Sequence, residues 1–467
     1  MDPYHQVLLV YCRGGAPLEY AIPKIAERAQ VHVLALQQMP SHTEDAWRPH
    51  VSAVIPAWDE RVEGDALVGL IVEEAQRVGA DAVFTLSEFA VLAVAEAAER
   101  LGLRGAGPKT AQSRDKRLMR EIWEQQGVPS PRFRRVTSED ELKSAYAELT
   151  PPLLLKSAWG AGAVGQLVID SPERIAEAWA ETTATVADAH ATGFMELQQV
   201  GAEHDFLVEE IIPGSIRSWW DADSGYGDYL SVEGIVADGV YHPLCITSRI
   251  PTIPPFTELS NLAPCALPQD LQRKVESVAR AAVDALGLET CGTHTEIKLM
   301  DDGGLSVLES AARLGGVMVA PEIEHVFGYE PVGMLIDCLL GLPVTFPERM
   351  LTDEDAKGAA GSLSLIATDD EGNPWAEELT WDEDLVDWSG ILSPGSRIEA
   401  VPGLSITKGT AMPRYDLSSG ALGYGGIFFL RTTSAETLVR DSHSVLNNLE
   451  AALSKGWREK NAQTEGH

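Results

Sequence analysis

Glu296 and Glu309 lie on either side of the turn Asp301-Asp302-Gly303-Gly304, within GTHTEIKLMDDGGLSVLESAARLGGV (292–317). The flanking segments, Thr293–Met300 and Leu305–Glu309, read as two short strands. Alternation along the first puts Glu296 and Lys298 on one face. A hairpin then brings Glu309 opposite Glu296, with Arg313 just past the strand end. Two facing carboxylates repel unless a cation sits between them, and hard oxygen ligands of this kind suit Mg²⁺ carrying phosphates. An ordinary amphipathic hairpin with a solvated acidic face is the alternative reading of this stretch alone.

Gly160, Gly162 and Gly165 form a second chemical feature. They satisfy GxGxxG, but in a dinucleotide fold that loop opens a helix, whereas here it opens Gln166–Ile169, which reads as a strand. A glycine loop between antiparallel strands drapes backbone N–H groups over phosphates from above. Lys156, on the preceding strand Leu153–Lys156, can point at what the loop covers. A Walker A motif is excluded because Gln166 follows Gly165, and the HRD and DFG motifs of protein kinases are absent.

The elements that must position these groups read as follows. Gln6–Tyr11, Val31–Leu36 and Ala82–Leu86 are expected strands. They alternate with helices running up to Gln30, over Ala66–Val78 and over Phe89–Leu101, which predicts a doubly wound parallel sheet. Ser87-Glu88 ends a strand where open α/β sheets place ligand groups, and reads equally as an N-cap. A helix over Ser113–Gln126, capped at Ser113, follows, then one over Glu139–Leu149 and another over Pro172–Ala187. Phe206–Ile212 is a strand carrying Glu209 and Glu210. Tyr229–Val236 and Val240–Thr247 form a hairpin, and the proline-rich 251–268 reads as a substrate loop. A helix over Leu271–Leu286 leads into the acidic hairpin. Beyond about residue 346 short strands and acidic loops precede a final helix, Ser434–Leu453, with a frayed tail from Lys455.

The chain has 467 residues, 45% hydrophobic and 23% charged, as expected of a globular protein with several domains. A formal net charge of −34 argues against nucleic acid or anionic membrane as partners, and requires locally concentrated Lys and Arg at any nucleotide site. Cys12, Cys245, Cys265, Cys291 and Cys338 are scattered and odd in number, which predicts reduced thiols rather than disulfides or a zinc site. With no leader and no apolar run of membrane length in view, a soluble, cytoplasmic protein is expected.

Taken in order, Lys116 lies in a helix, Lys156 precedes the glycine loop and Glu209-Glu210 ends a strand. Two hairpin carboxylates and Arg313 follow. This constellation resembles the ATP-grasp carboxylate–amine ligases over roughly residues 85–345. Within them it is most similar to the L-amino acid ligases that make dipeptides, of the bacilysin-synthesising type. LGLRGAG (101–107), RDKRLMRE (114–121), DYLSVEGIVADG (228–239), THTEIKLM (293–300) and LESAARLGG (308–316) carry the likeness.

The resemblance implies an α/β ATP-grasp fold in three parts. These are a Rossmann-like domain (1–112), an ATP-grasp domain (113–345, with a flap over about 151–207) and a C-terminal α+β lobe (346–467). It implies that Lys116 and Lys156 bind ATP phosphates, that Gly160–Gly165 form the flap, and that Glu209, Glu210, Ile211 and Ile212 hold adenine. Glu296 and Glu309 would bind two Mg²⁺ ions, with Mn²⁺ able to substitute. Arg313 would hold the substrate carboxylate and the developing acyl phosphate. Glu88 and Glu233 are candidate contacts to a substrate amine. The expected partners are a small acid and an amine or short peptide, with a homodimer as the candidate assembly.

Three departures stand out. Ala311 replaces a common Asn metal ligand. Asn261 replaces a loop His, and cannot carry a proton. Val317 replaces a Trp that narrows the first amino acid's pocket, which predicts a bulky acyl donor such as an aromatic or N-modified amino acid. The alternatives are a carboxylase or a formate- or phosphoribosyl-type ligase of the same superfamily, or an ATP-binding regulator without catalysis.

Overall fold

The computed structural model describes residues 5–58, 62–191, 195–199, 201–254, 256–415 and 423–465. Pro255 of the proline-rich stretch and residues 192–194 and 200 of the expected flap lie outside them.

The N-terminal sheet has four parallel strands: β1 (His5–Tyr11), β2 (Ala29–Ala35), β3 (Val51–Pro56) and β4 (Ala82–Phe84), in the order β3-β2-β1-β4. Val7 through Val10 are buried without interruption, because helices cover both faces of such a sheet. The first helix, Leu18–Ala26, stops short of the expected Gln30, since Ala29 and Gln30 already pair with His5 and Gln6. The strand β3 has no counterpart among the expected strands.

The next sheet is antiparallel. It contains β5 (Phe133–Val136), β6 (Leu153–Ser157), β7 (Leu167–Ile169) and β8 (Phe206–Glu210), ordered β5-β8-β6-β7. The glycine loop therefore joins antiparallel β6 and β7, as its sequence predicts. The helix Lys116–Gln126 begins one turn later than expected. Its cap is Asp115, whose carboxylate accepts from Arg117 N at 2.9 Å, while Ser113 Oγ donates to Thr110 O within a short preceding turn.

A third, antiparallel sheet is built from β9 (Tyr229–Ala237), β10 (Val240–Thr247), β12 (Cys291–Leu299) and β13 (Leu305–Ala311), ordered β10-β9-β12-β13. The helix Gln269–Leu286 packs Val275, Ala279, Ala282 and Val283 beneath it. Inside the proline-rich stretch lies β11 (Ser260–Ala263), where a loop was expected. It is claimed by the fourth sheet, formed with β14 (Ala359–Leu365), β15 (Arg397–Ala400) and β16 (Gly426–Thr432) in the order β11-β14-β16-β15. The last helix runs over Ala435–Glu465, so the expected frayed tail is helical. Trp457 Nε1 donating to Thr380 O at 2.8 Å and Lys460 paired with Asp382 at 3.1 Å hold its end.

All five cysteines are buried and unpaired, as their spacing predicts. Among the described residues no helix is long and apolar enough to cross a membrane.

The helix Val319–Phe327 carries a fully buried carboxyl against β14. Glu322 Oε1 accepts from Ser362 N at 2.8 Å. Burial pushes its pKa up to about 8; Ser362 and Arg249 pull it down and Glu233 adds to the rise. The folded chain thus holds this proton where the unfolded chain releases it. The associated stability is complete below the ordinary carboxylate range and is lost as pH climbs from there through about 8. Each tenfold gain in proton affinity on folding contributes about 1.4 kcal/mol to it. Thermal melting of Glu322→Gln against the parent should show a mutant advantage that grows from pH 5 to pH 8; parallel curves would contradict this assignment.

Candidate active site

The hairpin β12–β13 registers Glu296 opposite Glu309, with a bulge immediately after Glu296. Such bulges re-aim side chains beside functional sites. Both carboxylates line a cavity of about 360 Å³ between the sheets. Burial alone would raise Glu296, but His294, Tyr229 and Arg249 outweigh it and hold its pKa down at about 2. His294 Nε2 stands 3.6 Å from Glu296, and its Nδ1 donates to Glu233 at 2.8 Å. Burial would lower His294, yet the charge of Glu233 and its hydrogen bonds raise it to about 9.

The two sequence-predicted lysines enter from different elements. Lys116, at the start of its helix, donates to Glu309 Oε1 at 2.9 Å and to Gly160 O at 2.8 Å. Lys156 on β6 donates to Glu209 Oε1 at 2.5 Å, and Arg120 donates to Glu209 Oε2 at 3.0 and 3.1 Å. Burial lowers the pKa of Lys156, while at Glu209 the pull of Arg120 and Lys156 overcomes burial and lowers that pKa too. The Glu209 carboxylate is thus taken up by two cations. That of Glu210 accepts from Arg132 at 2.8 Å and from Thr150 N at 2.9 Å. Ile211 and Ile212 line the cavity beside them, as do Gly162 and Ala163 of the loop; Gly160 and Gly165 do not. Gly165 sits at φ +66°, where a Cβ would meet Val186 at 2.9 Å, so it shapes the loop from behind.

Arg313 lines the cavity, with its Nε 2.6 Å from Glu88. Burial raises the Glu88 pKa, but Arg313, Arg114 and Lys116 together bring it below the usual range. The structure places neither Glu88 nor Glu233 on the cavity wall. Glu88 backs Arg313, and Glu233 accepts from His294 and from Thr247 Oγ1 at 3.0 Å. Both carboxylates are thus engaged by side chains of this chain. Asn261 and Val317 do line the cavity. Val317 holds φ +58°, a strained conformation for a β-branched residue that tends to mark functional sites.

Sequence reasoning missed Arg249, buried yet lining the cavity and paired with Glu258 at 3.1 Å, and Arg114, which donates to Glu196 at 2.8 Å and to the carbonyl of Trp159. Arg114 opens RDKRLMRE, where sequence reasoning gives it no role of its own, and Arg249 belongs to no local pattern. His294 was legible, because strand alternation sets it on the face of Glu296.

Among the described residues no cluster of three or more His, Cys, Asp or Glu could hold a metal. The pair Glu296 and Glu309 nonetheless fits Mg²⁺, which binds through one or two carboxylates and takes its other ligands from phosphates and water. A cation already stands against one of them, the Lys116 ammonium.

Residues 24–105 match the ATP-grasp N-terminal domain family. The alanine–anticapsin ligase of Bacillus subtilis (strain 168) is 36% identical over 298 residues, covering 63% of this chain and 62% of the relative. The chain thus spans about three-fifths of the length of that curated relative. The crystal structure of an L-amino acid ligase from Bacillus licheniformis superposes with a TM-score of 0.71 at 19% identity, covering 95% of this chain and 98% of that one. A biotin carboxylase from Campylobacter jejuni gives 0.62 at 16% identity, covering 91% and 87%. With a parallel N-terminal sheet, a glycine loop between antiparallel strands and an acidic hairpin facing it across one cavity, the chain has the ATP-grasp fold.

Proposed function

We propose that this chain is an ADP-forming carboxylate–amine ligase that joins an amino-acid-like acid to the amine of an amino acid or short peptide. The observation that supports it best is the convergence of Lys116, Lys156, Arg313, Glu296 and Glu309 on one cavity. Likeness to an alanine–anticapsin ligase and to an L-amino acid ligase supports the same class. The division into parts at 113 and 346 belongs to this proposal.

The donor carboxylate would lie against Arg313, which Glu88 fixes from behind. ATP would lie under the loop, its phosphates toward Lys116 and Lys156 and its base near Ile211 and Ile212. Glu296 and Glu309 would hold Mg²⁺, which when bound neutralises phosphate charge. A carboxylate oxygen attacks the γ-phosphorus, the bond to the β–γ bridging oxygen breaks, and ADP leaves with the electron pair. The amine nitrogen then attacks the acyl carbon, the carbon–oxygen bond to phosphate breaks, and nitrogen loses a proton. Positioning and charge neutralisation do most of the work in such transfers, as two lysines and an arginine suit.

ADP release with pooled amino acids and Mg²⁺, followed by product mass analysis, tests this. Dependence on both an acid and an amine supports it; turnover with bicarbonate alone, or binding without turnover, overturns it. For the donor side, Val317→Trp should shift preference toward an alanine-sized acid by about tenfold or more. Unchanged ratios would contradict the placing of Val317 in the donor pocket.

A further inference from the structure

The glycine loop starts from two carbonyls that one buried arginine holds. Arg114 ends the short turn Ala111–Arg114, and its side chain is fully buried. Its Nη2 donates to the carbonyl of Trp159, and its Nη1 reaches that of Gly160 at 3.5 Å. Its Nε serves other partners, donating to Glu196 Oε2 at 2.8 Å and to the carbonyl of Glu88 at 3.2 Å. The Glu88 carboxylate stands 3.5 Å from the same Nε and, on its other oxygen, 2.6 Å from Arg313 Nε. Glu196 is fixed to the N-terminal part of the chain, since Leu197 N donates to Phe89 O at 3.1 Å and Gly64 N to Leu197 O at 2.9 Å. A row of alternating charge, Glu196–Arg114–Glu88–Arg313, therefore runs from the first residues of the loop to the cavity wall.

Inside a protein each charge of such a row depends on its neighbours, because little water screens it. Burial would raise the Glu88 pKa, and Arg313 is foremost among the cations that outweigh it, ahead of Arg114 and Lys116. Burial pushes Glu196 up to about 7, since Arg114, shared between two carboxylates, offsets it only in part. A substrate carboxylate arriving at Arg313 competes with Glu88 for that guanidinium. Glu88 then depends more on Arg114, which is held more firmly in the orientation that offers its Nη groups to Trp159 and Gly160. Lys116 also donates to Gly160 O at 2.8 Å, but its ammonium is engaged by Glu309, which leaves Arg114 as the cation that responds.

We infer that Arg114 is a positioning residue that ties the glycine loop to the donor site, so that an acid on Arg313 and a nucleotide under the loop tighten each other's binding. The tie rests on the ligase reading and gives that site a guard against idle ATP hydrolysis: the loop seats firmly over ATP when an acid is in place. By linkage the effect is reciprocal and of one size in both directions.

The test is the affinity of the full chain for the β,γ-imido analogue of ATP with Mg²⁺, measured by calorimetry with and without the pooled amino acids used for ADP release. The pool is raised until its effect saturates, so that weaker acid binding alone cannot remove the response. It should tighten the analogue by about fivefold or more and slow amide hydrogen exchange over residues 160–165. Arg114→Lys leaves the pair of Glu88 and Arg313 in place and keeps the charge, but lacks the fork that serves carboxylates and carbonyls together. There the factor should fall below about twofold, and the exchange should no longer respond to the pool. Glu88→Gln, which keeps the shape of the side chain without its charge, should lose the factor as well. A merely structural role would change both affinities alike and leave their ratio. A factor below about twofold in the parent, or one retained in either variant, overturns the tie while leaving the ligase reading intact. ADP release that needs no acid overturns the ligase reading, and the tie with it.

Discussion

Glu309→Ala is expected to lower ADP release by about a thousandfold or more, since it removes one of the two carboxylates proposed to hold Mg²⁺ against the phosphates. The same change frees Lys116, whose ammonium now sits 2.9 Å from Glu309, so a gain in loose nucleotide binding is compatible with lost turnover. Glu309→Gln separates the two effects. It keeps the shape of the side chain but not its charge, and should move the Mg²⁺ dependence of any residual rate to higher concentration. Full activity in either variant would contradict the metal assignment.

Glu209→Leu should be the most destabilising of the site substitutions, by about 3–5 kcal/mol in urea unfolding. The carboxylate is buried between Lys156 and Arg120, and its removal leaves two cations in the interior without a counter-charge. Lys156→Met is expected to behave in the opposite way. Arg120 still neutralises Glu209, so the fold should lose much less, whereas turnover should fall by about a hundredfold or more because a phosphate-facing cation is gone. If both variants melted alike, the triad would not be the internal support proposed for the lysine.

Much of the site could be read from the chain because its geometry is local. Alternation along β12 and the Asp-Asp-Gly-Gly turn place Glu296 opposite Glu309, and the glycine loop follows from two short apolar strands around it. What could not be read depends on partners distant in sequence. Glu88 and Glu233 are carboxylates beside a cavity, and only the packing of remote strands shows that Arg313 and His294 take them up from behind. The strand β11 hides among prolines because its pairing partner, β14, comes about a hundred residues later. Asp115 and Ser113 are both good cap residues, and their order is settled by the short turn that consumes Ser113. The final helix has a polar end that suggests fraying until Thr380 and Asp382 are brought against it.

The central claim is that a carboxylate is activated as an acyl phosphate before an amine attacks it. A donor acid labelled with ¹⁸O in both carboxylate oxygens tests this directly. If the claim holds, one labelled oxygen passes to inorganic phosphate for each amide formed, and the product amide keeps the other. Phosphate released without the label, at a rate matching amide formation, would contradict it.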